Sequence, residues 1–97
     1  MLTFVCYLSF TEQGVKAIKD VGKRYEASKA LAEKLGGRLV CAYVTTGKYD
    51  AISVVEMPNG EAMAKYSATL GARGFVRTTT VRAFKPEEFG KIVADIK

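Results

Sequence analysis

The residues with the best prospects for chemistry are tyrosines, one aspartate and two arginines, because the 97-residue chain contains no histidine. Histidine is the commonest general base and the commonest metal ligand, so its absence removes the usual starting point for either kind of site. No serine has a histidine to activate it, and no glycine-rich phosphate-binding motif is present. We therefore predict no catalytic group, no metal and no cofactor. The candidate ligand-binding or oligomer-contact residues are Tyr7, Tyr43, Tyr49, Asp50, Arg77 and Arg82.

The segment Gly47-Lys48-Tyr49-Asp50 joins two strand-like runs and carries two of these candidates. So short a connection predicts a hairpin, in which Gly47 is the residue expected to adopt a positive φ. One interpretation is structural: Asp50 accepts backbone hydrogen bonds and Tyr49 packs over the loop. The alternative places Tyr49 and Asp50 at an oligomer contact or a ligand-binding rim, because a short turn on a rigid hairpin holds side chains in place. Both interpretations stay open.

The two arginine candidates lie in the last strand-like run, on either side of three consecutive threonines. Alternation places Arg77 and Thr79 on one face of this strand, and Thr78, Thr80 and Arg82 on the other. An arginine on a buried face is costly unless it pairs with a carboxylate or an anionic ligand. On an edge strand the same charges instead discourage aggregation, and this is the simpler interpretation.

Composition indicates one globular domain that spans residues 1–97, with 48% hydrophobic and 26% charged residues. No apolar run reaches the length of a membrane span, and the first residues alternate like a strand rather than a secretion signal, so we expect a cytoplasmic protein.

Cys6 and Cys41 lack CxxC spacing and are interpreted as small buried hydrophobic residues. The net charge of +5 comes with basic and acidic residues mixed along one segment, so we expect no nucleic-acid or membrane partner.

Periodicity predicts four strands and three helices in the order βαββαβα. The first strand alternates from Leu2 to Phe10, and Thr11 then caps a helix that runs to about Leu35, with irregular first turns because of Gly14 and Gly22. The later elements are strands at 38–46, 50–57 and 75–84, a helix capped near Asn59 and closed by Gly71 to Gly74, and a final helix from Pro86 with the apolar stripe Phe89, Ile92, Val93 and Ile96.

This order predicts an α+β domain, a ferredoxin-like βαββαβ sandwich with a four-stranded antiparallel sheet in the strand order 4-1-3-2 and a C-terminal helix. Both long helices would cover one face of the sheet, while the other face exposes side chains such as Val5, Tyr7, Ile52 and Val54. Because monomers rarely leave a large apolar patch bare, we expect a homodimer or higher homo-oligomer. The final helix should then lie against the sheet edge or reach a neighbouring subunit.

Separate segments of the chain resemble the GYD domain family of bacteria and archaea. Besides Gly47-Lys48-Tyr49-Asp50, they are Phe10-Thr11-Glu12-Gln13-Gly14, Leu35-Gly36-Gly37, and Val76-Arg77-Thr78-Thr79-Thr80 leading to Ala83-Phe84. The resemblance extends over nearly the whole chain and implies a ferredoxin-like fold of the dimeric α/β-barrel type. It implies little about activity, because the family is functionally uncharacterised.

Two functions from different classes follow, since a fold does not fix a function. The first is a non-enzymatic homo-oligomeric module that binds a small anionic or amphipathic ligand near the sheet interface. The alternative is a cofactor-free barrel enzyme, similar to a monooxygenase or an isomerase, which would use Tyr7, Tyr43 or Asp50 in a cavity between sheets.

Overall fold

A four-stranded antiparallel sheet organises the chain, which the computed structural model describes over residues 1–97. The strands are β1 (Leu2–Phe10), β2 (Arg38–Val44), β3 (Ala51–Met57) and β4 (Val76–Ala83), and the helices are α1 (Glu12–Lys16), α2 (Val21–Lys34), α3 (Gly60–Arg73) and α4 (Pro86–Ile92). The strands lie in the order β2-β3-β1-β4, which is 4-1-3-2 when read from the β4 edge. This α+β arrangement is consistent with a ferredoxin-like fold. None of the helices has the length and apolar character that crossing a membrane requires.

The hydrophobic core lies between α3, the second half of α2 and one face of the sheet. Alternate residues of β1 and β3 point into it, because successive side chains of a strand face opposite sides. Each large side chain buried there contributes about 1.5–3 kcal/mol. The buried set is Cys6, Ala32, Val55, Met57, Ala62, Met63, Tyr66 and Leu70.

The first helical segment differs from the single helix predicted up to about Leu35. It consists of α1, a 3-10 turn at Ile18–Asp20, and α2, so the irregularity expected for its first turns extends to Asp20. Thr11 caps α1 as predicted, accepting a hydrogen bond from the Gly14 N–H at 3.1 Å. In this broken segment the apolar side chains of Val15 and Ile18 are exposed.

The ends of α3 confirm the capping predicted from sequence. The Asn59 side chain accepts a hydrogen bond from the Ala62 N–H at 2.8 Å, and Gly74 closes the helix with a left-handed φ of +86°. The hairpin between β2 and β3 is confirmed too, with Gly47 at φ +132°. A non-glycine residue rarely adopts that conformation.

The terminal helix α4 is shorter than its apolar stripe suggests, because it ends at Ile92, before Ile96. Pro86 occupies its first turn as predicted. It joins the rest of the chain through the Phe84 and Phe89 rings, whose centroids are 6.1 Å apart. Phe89, Ile92 and Ile96 stay 50%, 52% and 72% exposed, so this chain alone does not cover the stripe.

Candidate functional site

The open face of the sheet is the surface turned away from α2 and α3, and it carries most of the candidate residues. Residues directly opposite each other in an antiparallel pair point to the same side, so the strand register defines rows across this face. Two adjacent rows cross this face: Cys41, Val54, Val5 and Val81 form one, and Tyr43, Ile52, Tyr7 and Thr79 form the next, closer to the end that holds Arg77. Tyr43 and Val81 are 66% and 44% exposed, so part of this apolar surface is bare.

At one end of the open face, the row beyond Val54 contains an ion pair between Arg38 and Glu56. The Arg38 side chain donates a hydrogen bond to Glu56 at 2.6 Å, and this bond holds the pKa of the Glu56 carboxyl below its usual value. The two opposite charges neutralise each other there. Lys85 and the N-terminal amine also lower the pKa of the Glu56 carboxyl, so further positive charge lies near this end.

At the other end, which we call the tyrosine end, four of the six candidates approach each other: Tyr7, Tyr43, Tyr49 and Arg77. The Tyr7 and Tyr49 rings pack with centroids 4.9 Å apart at 39°. Tyr43 and Tyr7 flank Ile52 in the same row, and Arg77 pairs with Ser9, two residues beyond Tyr7 on the same face. This end therefore combines aromatic surface with an exposed guanidinium.

The Asp50 carboxylate lies beside the tyrosine end but is already engaged. Its Oδ2 accepts a hydrogen bond from the Phe10 backbone N–H at 2.7 Å. The Asp50 N–H donates to the Leu8 carbonyl at 2.8 Å, and its carbonyl accepts from the Thr45 N–H at 2.8 Å. Thr45 also donates its hydroxyl proton to the Tyr49 carbonyl at 2.7 Å. These bonds support the structural interpretation of the hairpin, and Asp50 is poorly placed to act as a base.

Arg82 lies apart from the other candidates, because it pairs with Phe4 at the far end of β4 and points to the helix-covered side. Its guanidinium donates to the carbonyls of Thr3, at 3.2 Å, and Ala83, and lies 3.4 Å from the Glu88 carboxylate. It also stacks 4.3 Å from the Phe84 ring. These contacts connect Arg82 to α4.

Sequence reasoning missed a second feature, a cavity on the helix-covered side with a volume of about 590 Å³. Its walls include Arg24, Ser28 and Tyr66, of which Tyr66 is fully buried. Burial raises the pKa of the Tyr66 phenol to about 12, against the opposing influence of the Ser28 side chain and the Arg73 charge. Arg24 is the one basic residue of α2 that is half-buried, and nothing in the sequence distinguishes it from the other basic residues of that helix.

No three side chains of the kinds that bind metal ions lie close enough together to share one. Cys6 is buried in the core, and burial raises the pKa of its thiol. A buried thiol with a raised pKa is a weak nucleophile. Both cysteines are free, and Cys41 is only half-buried, so it is less enclosed than the sequence interpretation expected.

The four-stranded antiparallel sheet and its helices make this an α+β protein. The family comparison then identifies the family. The model of the GYD domain matches residues 4–93, so the chain belongs to the GYD domain family, as the resemblance implied. The crystal structure of TTHA0845 from Thermus thermophilus is similar, with a TM-score of 0.55 and 23% identity over 88% of this chain and 95% of that chain. At this identity it shows the fold alone. No curated protein matches the chain.

Proposed function

We propose that this GYD domain protein is a non-enzymatic cytoplasmic module that forms a homodimer of the dimeric α/β-barrel type. Two copies would pack the open faces of their sheets together around a two-fold axis. The tyrosine end would then lie at the rim of the interface, where it binds a small ligand. The observation that carries the proposal is the apolar surface of Val5, Val54 and Val81 on the open face, where Val81 is exposed and the other two are half-buried.

The shape of the single chain supports a partner. Its radius of gyration is 14.6 Å, and its dimensions are 52 × 30 × 18 Å. A compact domain of this length has a radius of gyration of about 12.5 Å. An isolated seven-residue helix is also unstable in water. Because α4 leaves Phe89 and Ile92 half-exposed, a second copy that covers this helix would supply the contacts it lacks.

The open face and α4 together offer enough area for a stable dimer interface. Four strands spaced about 4.8 Å apart, with about eight residues each at 3.3 Å, give a flat area of roughly 500 Å². Stable interfaces bury about 800 Å² per partner. The side chains make the surface larger than this flat area, and the exposed stripe of α4 adds to it. Together they would supply the remaining area.

The chemistry of the titratable groups favours a binding module over the cofactor-free enzyme. The Asp50 carboxylate is held by the Phe10 N–H, and burial favours the neutral forms of Cys6 and Tyr66. Two free cysteines fit a reducing compartment such as the cytoplasm. At the rim, Arg77 and the paired rings of Tyr7 and Tyr49 suit a small anionic ligand with an apolar part.

Sedimentation equilibrium with a matched pair of variants tests the dimer. Val81→Lys places a charge on the open face at a position that is exposed in the single chain, so the fold should survive. Val15→Lys introduces the same charge at an exposed position of α1, outside the sheet. We expect twice 10.6 kDa for the wild type and for Val15→Lys, and 10.6 kDa for Val81→Lys. A dimer that survives Val81→Lys unchanged would place the interface elsewhere.

A further inference from the structure

The cavity on the helix-covered side of the sheet has the size and character of a ligand site. Its volume of about 590 Å³ lies within the range of 300–1,000 Å³ that is typical of small-molecule pockets. Of the 21 residues that line it, 15 are hydrophobic. Ala42 of β2 and Ser53 of β3 form part of its floor, and α2 forms a wall with Ala27 and Ser28.

The charges around this cavity are all of one sign. Lys23, Arg24 and Arg73 line it, and no aspartate or glutamate does. Each of the three ion pairs in the chain involves another basic residue, so none of these cations is neutralised by a carboxylate. An apolar cavity with an uncompensated positive charge attracts an anion, and the low dielectric of the apolar wall strengthens that attraction.

Arg24 is the best placed of the three cations, because local contacts fix its guanidinium. It donates to the Ala17 carbonyl at 2.7 Å and, over a longer distance of 3.5 Å, to the Gly14 carbonyl. Its charge lies 4.9 Å from the centre of the Phe75 ring and 5.8 Å from that of Phe10. A guanidinium has five N–H donors, so donors remain for a carboxylate.

Three of the residues that line the wall carry hydroxyl groups: Tyr66, Ser28 and Ser53. A few polar groups on an otherwise apolar wall orient a ligand and give it specificity. Tyr66 is buried, and the hydroxyl of Ser28 lies next to it. A ligand with a single polar end could therefore bind with its apolar part along the wall and its anionic end toward Arg24.

We propose that this cavity binds an amphipathic organic anion, a small molecule with an apolar body and one carboxylate, with Arg24 and Arg73 binding the anionic end. Arg24 and Arg73 lie on α2 and α3, which the proposed dimer leaves uncovered, so the inference does not depend on the dimer. The cavity shares Tyr43 and Ile52 with the open face, whereas Tyr7, Tyr49 and Arg77 of the tyrosine end do not line it.

Isothermal titration calorimetry of the full chain tests the site with decanoate as the probe, below its micelle concentration. The matched cation decyltrimethylammonium has a similar apolar body and the opposite charge. We expect one decanoate per chain, with an affinity at least tenfold higher than that for the cation. Equal affinity for both probes, or no decanoate binding, would overturn the proposal.

Four variants locate the binding. Ala42→Phe fills the cavity from its floor and should abolish decanoate binding, whereas Ala30→Phe on the exposed side of α2 should leave it unchanged. Arg24→Gln should weaken binding about tenfold or more, because a hydrogen bond to a charged group is lost. If Arg24→Gln fails to fold, Arg73→Gln tests the site instead, because Arg73 is exposed and its replacement should leave the fold intact. The affinity of Arg73→Gln for decanoate should fall at least threefold. Wild-type affinity in both Ala42→Phe and Arg73→Gln would contradict the site.

Discussion

The carboxylate of Asp50 accepts a hydrogen bond from the backbone N–H of Phe10, at 2.7 Å and across forty residues of sequence. Phe10 is the last residue of β1, where the pairing of β1 with β3 has already ended at Leu8 and Ala51. The side chain of Asp50 thus satisfies a backbone donor that the sheet leaves without a partner. This bond gives the aspartate that follows the Gly47-Lys48-Tyr49 turn a structural role.

The first prediction concerns this bond. Asp50→Ala should lower the free energy of unfolding by about 1.5–3 kcal/mol, because a half-buried donor loses a charged acceptor. Asp50→Asn keeps an acceptor and should cost less. Urea denaturation measures both, with Asp95→Ala, a change at an exposed aspartate outside every helix and strand, as the control. If Asp50→Ala is as stable as Asp95→Ala, the bond is not structural.

The second prediction concerns the backbone of the same hairpin. Gly47→Val should destabilise the protein by about 1–3 kcal/mol, because Gly47 has a φ of +132° that a β-branched residue rarely adopts. Space is not the cause, since no atom lies within 4 Å of the position a Cβ would take. Gly71→Ala is the control: it lies within α3 with similar open space and should stabilise by about 0.4–1 kcal/mol. An unchanged denaturation midpoint for Gly47→Val would show that the turn does not need glycine.

The third prediction concerns the alkaline limit of stability. Burial raises the pKa of Tyr66 to about 12, whereas the unfolded chain releases that proton near pH 10. The stabilisation is therefore complete below about pH 10 and is lost as the pH rises toward 12. Between pH 9 and pH 12, the wild type should lose on the order of 2 kcal/mol more than Tyr66→Phe in urea denaturation. Parallel losses in the two proteins would mean that Tyr66 titrates normally.

The fourth prediction concerns α4. Arg82 holds this helix through Glu88 and the Phe84 ring, and Ile92 is half-exposed on it. A chain that ends at Lys85 should lose both stability and dimer mass, because α4 would cover part of the partner. Ile92→Lys should weaken the dimer while the fold of the single chain remains. Sedimentation equilibrium and thermal melting of both proteins check this, and wild-type behaviour of the shortened chain would make α4 a loose appendage.

The sequence was sufficient for the elements whose signals are local. Alternation in β1, the caps at Thr11 and Asn59, and the glycine of the hairpin each depend on residues close in sequence, and the structure confirms them. The break before α2 was only half predicted. At this break Arg24 donates a hydrogen bond to the Ala17 carbonyl, a contact that helix propensity does not report.

The candidate site was predicted less completely, because residue spacing within one strand does not show which residues of neighbouring strands lie beside each other. Alternation correctly separated Arg77 from Arg82, but only the register shows that Arg77 lies near Tyr7 while Arg82 holds α4. The helix-side cavity could not be predicted at all. It arises from the distance between α2 and the sheet, which no periodicity encodes.

The proposed interface between two copies of this chain is the open face of the sheet. Isotope-filtered NOE spectroscopy on a mixture of labelled and unlabelled chains tests it most directly, because only contacts between copies give signals. We expect intermolecular NOEs from the methyl groups of Val5, Val54 and Val81, all on the open face. Intermolecular NOEs confined to α2 and α3, or a mass of 10.6 kDa with none at all, would contradict this interface.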